Sequence, residues 1–134
     1  MAKEHEGKKQ EIKKVHIIHG NDKTGKVIIS DEVVAVIAGL AAMEVEGVSG
    51  MAGNITSEII SKLGMKNLSK GVEIEIKGNT AKVDLTVVLD YGFNIVDVSR
   101  SVQEKVKNTI ETMTGLAVSA VNVKIADVDF DNER

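Results

Sequence analysis

Apolar and polar residues alternate over residues 72–89: Val72, Ile74 and Ile76 are separated by Glu73 and Glu75, and after Gly78-Asn79 the series Ala81, Val83, Leu85, Val87, Leu89 resumes the alternation. Successive strand residues point to opposite faces, so the pattern predicts two strands joined by a two-residue Gly-Asn turn. Such a turn pairs 77 with 80, 76 with 81, 74 with 83 and 72 with 85, which gathers the apolar residues of both strands on one face. It also sets Glu75 opposite Lys82, and leaves Glu73 opposite Asp84 as a like-charge mismatch on the wet face.

The period then changes. Ile95, Val98, Val102, Val106, Ile110 and Met113 recur at about 3.6 residues, the spacing of one helix face, with Arg100, Glu104, Lys105, Lys107 and Glu111 on other faces. Gly92 ends the preceding strand, Asn94 is placed to cap the helix with Asp97 at N3, and Gly115 follows its last turn. An earlier helix is predicted from Asp31 to about Glu46, capped by Ser30, with Asp31 and Glu32 in the first turn and Gly47 beyond its end. Its stripe Val33, Ile37, Leu40, Ala41 is expected to face a core, and Ala38, Gly39, Ala41 and Ala42 leave room for a second backbone. Lys26 to Ile29 reads as a short strand before it. A last strand carries Val121, Val123 and Ile125 in one phase and Val128 and Phe130 in the other, which predicts a bulge at Ala126-Asp127.

Two stretches lack a regular period. Residues 1–14 are rich in Lys, Glu and Gly and read as a mobile tail, followed by an apolar island, Val15 to His19, suited to an edge strand and broken by Gly20-Asn21-Asp22. Residues 47–70 begin with Gly47, Gly50 and Gly53, and Ile55, Ile59, Ile60 and Leu63 then mark a short helix, marginal without packing and expected to be mobile. Met43 and Met113 read as core. Met51 and Met65, with Ile55 and Ile59, are the candidate partner interface, since exposed Met forms adaptable contact surfaces. The division that follows is a charged tail at 1–24, one domain at 25–130 and a short C-terminal tail at 131–134. The fold class is α+β: a two-layer domain in the order β-α-(short α)-β-β-α-β, with two long helices packed on one face of a mixed sheet.

Composition narrows the function. The chain has 134 residues, no Cys, one Tyr, two Phe and no Trp. Absent cysteine removes disulfides, thiolate catalysis and Cys-based zinc sites together and suits a reducing, cytoplasmic compartment. The charged start carries no secretory signal, and the most apolar run, Val33 to Met43, is 11 residues, too short to span a bilayer. Membrane contact is therefore expected only indirectly. Residues 1–26 hold seven Lys against four acids, a net of +3, whereas residues 27–134 hold ten Lys or Arg against sixteen acids, a net of −6. An acidic body with so few aromatic rings disfavours nucleic acid, leaving only a weak binder through the Lys-rich tail.

No catalytic constellation is visible. His16 and His19 lie in strand or coil without the Cys or HExxH context of a metal site, so no metal is expected. Gly47-Val48-Ser49-Gly50 matches a GxxG loop, but it follows a helix and is flanked by Glu44 and Glu46 rather than basic residues. The carboxylates fall on exposed faces, and there is no GxSxG elbow. The expectation is a protein that is not an enzyme, with no catalytic or cofactor-binding residues and no small-molecule substrate.

The ordered set Gly25-Lys26-Val27-Ile28-Ile29-Ser30, Ile37-Ala38, Glu46-Gly47-Val48, Val83-Asp84-Leu85, Tyr91-Gly92, Val102 to Lys107, Met113-Thr114-Gly115-Leu116 and Val121-Asn122-Val123 resembles the alkaline-shock protein family, the envelope stress response proteins of Gram-positive bacteria. The likeness spans about residues 25–130. It implies an abundant, cytoplasmic, non-enzymatic protein that self-associates and sits near the inner face of the membrane through a membrane-anchored relative, acting as a scaffold or adaptor. Another branch of the family implies an alternative, regulation of fatty-acid synthesis by binding acetyl-CoA carboxylase. Nothing transfers to residues 1–24.

Overall fold

The computed structural model describes residues 14–51 and 65–130. Its elements are β1 (Val15–Asn21), β2 (Gly25–Ser30), α1 (Asp31–Met43), β3 (Val48–Met51), a 3-10 helix (Met65–Gly71), β4 (Val72–Lys77), β5 (Thr80–Asp90), α2 (Ile95–Thr114) and β6 (Ala117–Asp129). The α+β class and the broad element order agree with the sequence. The expected short helix at 55–63 lies outside the described residues; β1 forms where the apolar island at 15–19 suited an edge strand, and β3 is an additional strand.

The central hairpin forms in the expected register, Val72 opposite Leu85, Ile74 opposite Val83 and Lys77 opposite Thr80. Glu75 sits 3.7 Å from Lys82. The Glu73–Asp84 mismatch is relieved from a third strand: Asn122 of β6 donates to Asp84 Oδ1 at 2.8 Å, and Lys70 and Lys124 line the same cleft. β5 is the axis of the sheet. β4 and β3 lie end to end along one of its edges, antiparallel, on residues 80–85 and 87–89, while β6 runs parallel along the other. A parallel neighbour needs a crossover, and α2 is that crossover. The predicted bulge is present, since Val87 pairs with Ile125 but Val88 with Asp127.

Both helices cover the apolar face. Asn94 caps α2 by accepting from Asp97 N–H at 3.0 Å, and Ser30 caps α1 by accepting from Val33 N–H at 3.2 Å. Along α2 the buried residues are Val98, Val102, Val106, Ile110 and Thr114, in steps of four. That line follows one i±4 ridge of the helix, so Ile95 and Met113, which the 3.6 average had included, fall beside it and are exposed. Thr114 closes the ridge without an orphaned hydroxyl, because it donates to the Ile110 carbonyl at 2.7 Å and accepts from Leu116 N–H at 3.0 Å.

α1 corrects the sequence in two ways. It stops at Met43, three residues early, and its buried arc is Val34, Ala35, Ile37, Ala38, Ala41 and Ala42, leaving Val33 exposed and Leu40 partly so. The arc is broad because the helix is covered on two sides, by α2 and the sheet and by the 3-10 helix. The small residues do admit a second backbone: a Cβ added at Gly39 would stand 3.0 Å from the Leu68 carbonyl oxygen.

Residues 15–21, assigned by sequence to the tail, pair with β2 in a separate two-stranded sheet. His16 Nε2 lies 2.5 Å from Asp31 Oδ1, and Asp31 N–H donates to the Lys14 carbonyl at 2.9 Å, fastening this hairpin to the start of α1.

Candidate interaction surface

Of the four residues proposed from sequence, Met51 is the one whose side chain the structure describes. Met51 is fully buried at the end of β3, opposite Val87, so its side chain belongs to the core. Strand pairing accounts for this: β3 docks beside β5, and Met51 follows the inward phase of that edge. Ile55 and Ile59 lie outside the described residues. Met65 opens the 3-10 helix.

Among the described residues, exposed apolar side chains cluster in two other places. On the β1–β2 hairpin, Ile17 and Ile28 are cross-strand partners, 54% and 55% exposed, with Val15 and Val27 beside them. The second place is the end of the sheet where β5 and β6 finish. Tyr91 and Phe130 are 67% and 68% exposed, with ring centroids 4.9 Å apart. Tyr91 N–H donates to the Asp129 carbonyl at 3.1 Å, which ties the two strand ends together.

Phe93 stands at the same end. The Gly47 carbonyl accepts from Asp90 N–H at 2.8 Å, and a Cβ at Gly47 would meet Val98 Cγ2 at 2.8 Å and Phe93 Cδ2 at 3.0 Å. With a φ of +100°, Gly47 is the residue that lets the chain turn against this ring. Ile95 and Val96 extend the exposed apolar area. All three aromatic residues of the chain are therefore at least partly open to solvent at one end of the molecule. Aromatic side chains are enriched at the energetic centres of protein interfaces.

Phe93 also lines a groove of about 540 Å³ between the C-terminus of α1 and α2. Glu44, Glu46, Asp97 and Glu104 line it against a single base, Lys105, whose Nζ is 3.2 Å from Glu44. Sequence reasoning missed this surface. The available signal was scarcity: a chain with three aromatic rings that places two in the turn Tyr91-Gly92-Phe93 has not spent them on its core.

Among the described residues no group of three or more His, Cys, Asp or Glu side chains converges on a point, and no buried side-chain polar atom lacks a hydrogen bond. The carboxyl of Glu111 is held below the usual carboxylate range by the hydrogen bond from Lys107, at 2.9 Å, and by the Val118 N–H. An i,i+4 partner within α2 and the Val118 N–H, which fastens α2 to β6, explain that shift without invoking catalysis. Gly47-Val48-Ser49-Gly50 forms the turn and start of β3, and Ser49 Oγ donates to Asp129 Oδ2 at 2.8 Å.

Residues 19–130 match the sequence profile of the alkaline-shock protein 23 family, described as having cell envelope-related function. The chain belongs to this family. It is 36% identical over 115 residues to the uncharacterized protein YqhY of Bacillus subtilis, covering 86% of this chain and 85% of that protein. YloU of the same organism, also uncharacterized, is 37% identical over 112 residues, covering 82% of this chain and 93% of that protein. A stress response regulator gls24 homolog of Streptococcus pyogenes is 30% identical over 105 residues, which are 78% of this chain and 59% of that protein. Among solved structures, a MamM CTD variant superimposes with a TM-score of 0.47 at 15% identity, over 73% of this chain and 95% of that one. Among the described residues of this family member, no helix is long and apolar enough to cross a membrane.

Proposed function

We propose that this family member is a non-enzymatic envelope stress protein, a cytoplasmic scaffold or adaptor that works by binding other proteins at the inner face of the membrane. The observation that carries this reading is the exposure of Tyr91, Phe93 and Phe130 at one end of the sheet, beside an acidic groove. A surface of that chemistry suits a partner segment that carries apolar side chains flanked by Lys and Arg. Membrane-anchored proteins bear such segments where they leave the bilayer on its cytoplasmic side. The family's envelope-related function supports the same location.

A photo-crosslinking amino acid placed at Tyr91 in the native cell, followed by mass spectrometry, tests the reading. The expected product is a crosslink to a membrane-anchored protein, lost in a Phe93→Glu variant that still folds. Crosslinks confined to soluble enzymes, or none at all with the protein absent from membrane fractions, would sink it. A changed membrane-lipid profile on deletion, with crosslinks to acetyl-CoA carboxylase, would point instead to control of fatty-acid synthesis.

A further inference from the structure

β6 is 13 residues long, and among the described residues β5 is its only neighbour. Its other edge is partly guarded by α2. Gln103 Nε2 donates to the Val121 carbonyl at 2.9 Å, and Glu111 accepts from Val118 N–H at 2.9 Å, so both of these backbone groups point away from β5. The Asp129 carbonyl, by contrast, meets Tyr91 N–H and points toward β5. Backbone direction alternates along a strand, apart from the extra residue at a bulge. Val123, Ile125 and Val128 therefore present their N–H and C=O groups outward, and Lys124, Asp127 and Asp129 present theirs inward, with Ala126 as the inserted residue. Among the described residues the guard ends at Val121 and the strand ends at Asp129, leaving an open edge over 122–129.

Antiparallel self-pairing about a two-fold axis matches residues whose numbers have a constant total. In a regular strand that total must be even for outward groups to meet outward groups. One inserted residue makes it odd for pairs that straddle the bulge. The open edge is centred between Ile125 and Ala126, which is an odd total, so its length and its bulge select the same register. In that register Val123 meets the partner's Val128 as a hydrogen-bonded pair. Lys124 meets the partner's Asp127 as a closely spaced pair on the polar face, and each pairing occurs twice. The Asp127 carboxylate accepts from its neighbour Val128 N–H at 2.8 Å. Pairing passes that N–H to the partner's Val123 carbonyl and leaves the carboxylate for Lys124.

We propose that β6 is a homodimerisation edge, joining two copies antiparallel about an axis at the Ile125-Ala126 bulge into one continuous sheet. The inference rests on the association reading above and names its self-association surface. A second copy is the occupant because the edge is complementary to itself in hydrogen-bond direction, side-chain face and charge. The exposed Tyr91–Phe130 pairs then stand at the two ends of the shared ladder.

The full chain has no cysteine, so Ala126→Cys introduces a single thiol next to the proposed axis. Mild oxidation is expected to give a disulfide-linked dimer, whereas Lys82→Cys, on the open face of the sheet away from β6's outer edge, is expected to remain unlinked. In sedimentation equilibrium, Lys124→Asp and Asp127→Lys should each raise the dimer Kd about tenfold, through two like-charged cross-strand pairs, and the double variant should recover it. A wild-type chain that stays monomeric at every concentration would overturn the proposal. So would a dimer that neither links through position 126 nor responds to the charge changes, although that result leaves association through another surface standing. Loss of the membrane-protein crosslink at Tyr91 with the β6 dimer intact would strike the adaptor reading alone.

Discussion

Among the described residues two β-hairpins carry apolar side chains on both strands and meet opposite fates. In β4–β5 the apolar face is covered, and Val83, Leu85, Val87 and Leu89 are buried; in β1–β2, Ile17 and Ile28 face each other in the open. Alternation states which face of a strand is apolar, and it carries no information about what will lie on that face. The difference is made by the elements that follow each hairpin. β5 leads into α2, which folds back over the sheet, whereas β2 leads into α1, whose buried arc is turned to α2 and the 3-10 helix and meets only the inner face of the first hairpin, where Ile18 and Ile29 are partly buried.

That contrast can be broken most sharply at the core. Val102→Asp places a carboxylate on the buried ridge of α2 and is expected to cost several kcal/mol, about the penalty for an unpaired buried charge, read as a collapse of the melting transition. Leu85→Ala in the covered hairpin should cost about 2–5 kcal/mol in urea denaturation, while Ile17→Ala in the exposed one should stay within about 1 kcal/mol. Equal effects of the two would show that the hairpins are not differently covered.

Gly47→Ala is expected to cost about 1–3 kcal/mol, from its positive φ and the 2.8 Å approach to Val98, and to shift the environment of Phe93. Replacing His16 by Ala should leave the melting temperature nearly unchanged and raise amide exchange over residues 15–30 alone, because the contact with Asp31 holds the hairpin without supporting the core. Retained protection of β1 would mean that its apolar side chains do the fastening.

The smallest expected effect concerns pH. Glu111 is shifted downward in the folded protein, so its contribution is present above the carboxylate's unfolded titration range and is lost as pH falls through the lower, folded range. Glu111→Gln should flatten that part of the acid dependence of stability, with Lys107 and the Val118 N–H losing their anionic partner.

Local rules accounted for the central hairpin and its register, both helix N-caps, the left-handed Gly115 and the bulge in β6, because each depends on residues close in sequence. The stripe through Val33, the inclusion of Ile95 and Met113, and the surface role given to Met51 failed for a common reason. Each required knowing which second element lies across the face, and that partner is tens of residues away in the chain. The aromatic end is the extreme case: Tyr91 and Phe130 are 39 positions apart in the numbering and meet only because β6 runs parallel beside β5. Sequence by itself determined which residues are apolar, with what period, and where the chain turns. Only the tertiary structure decided which apolar faces are closed and which remain open, because burial is a relation between distant elements and exposure is what that relation leaves over.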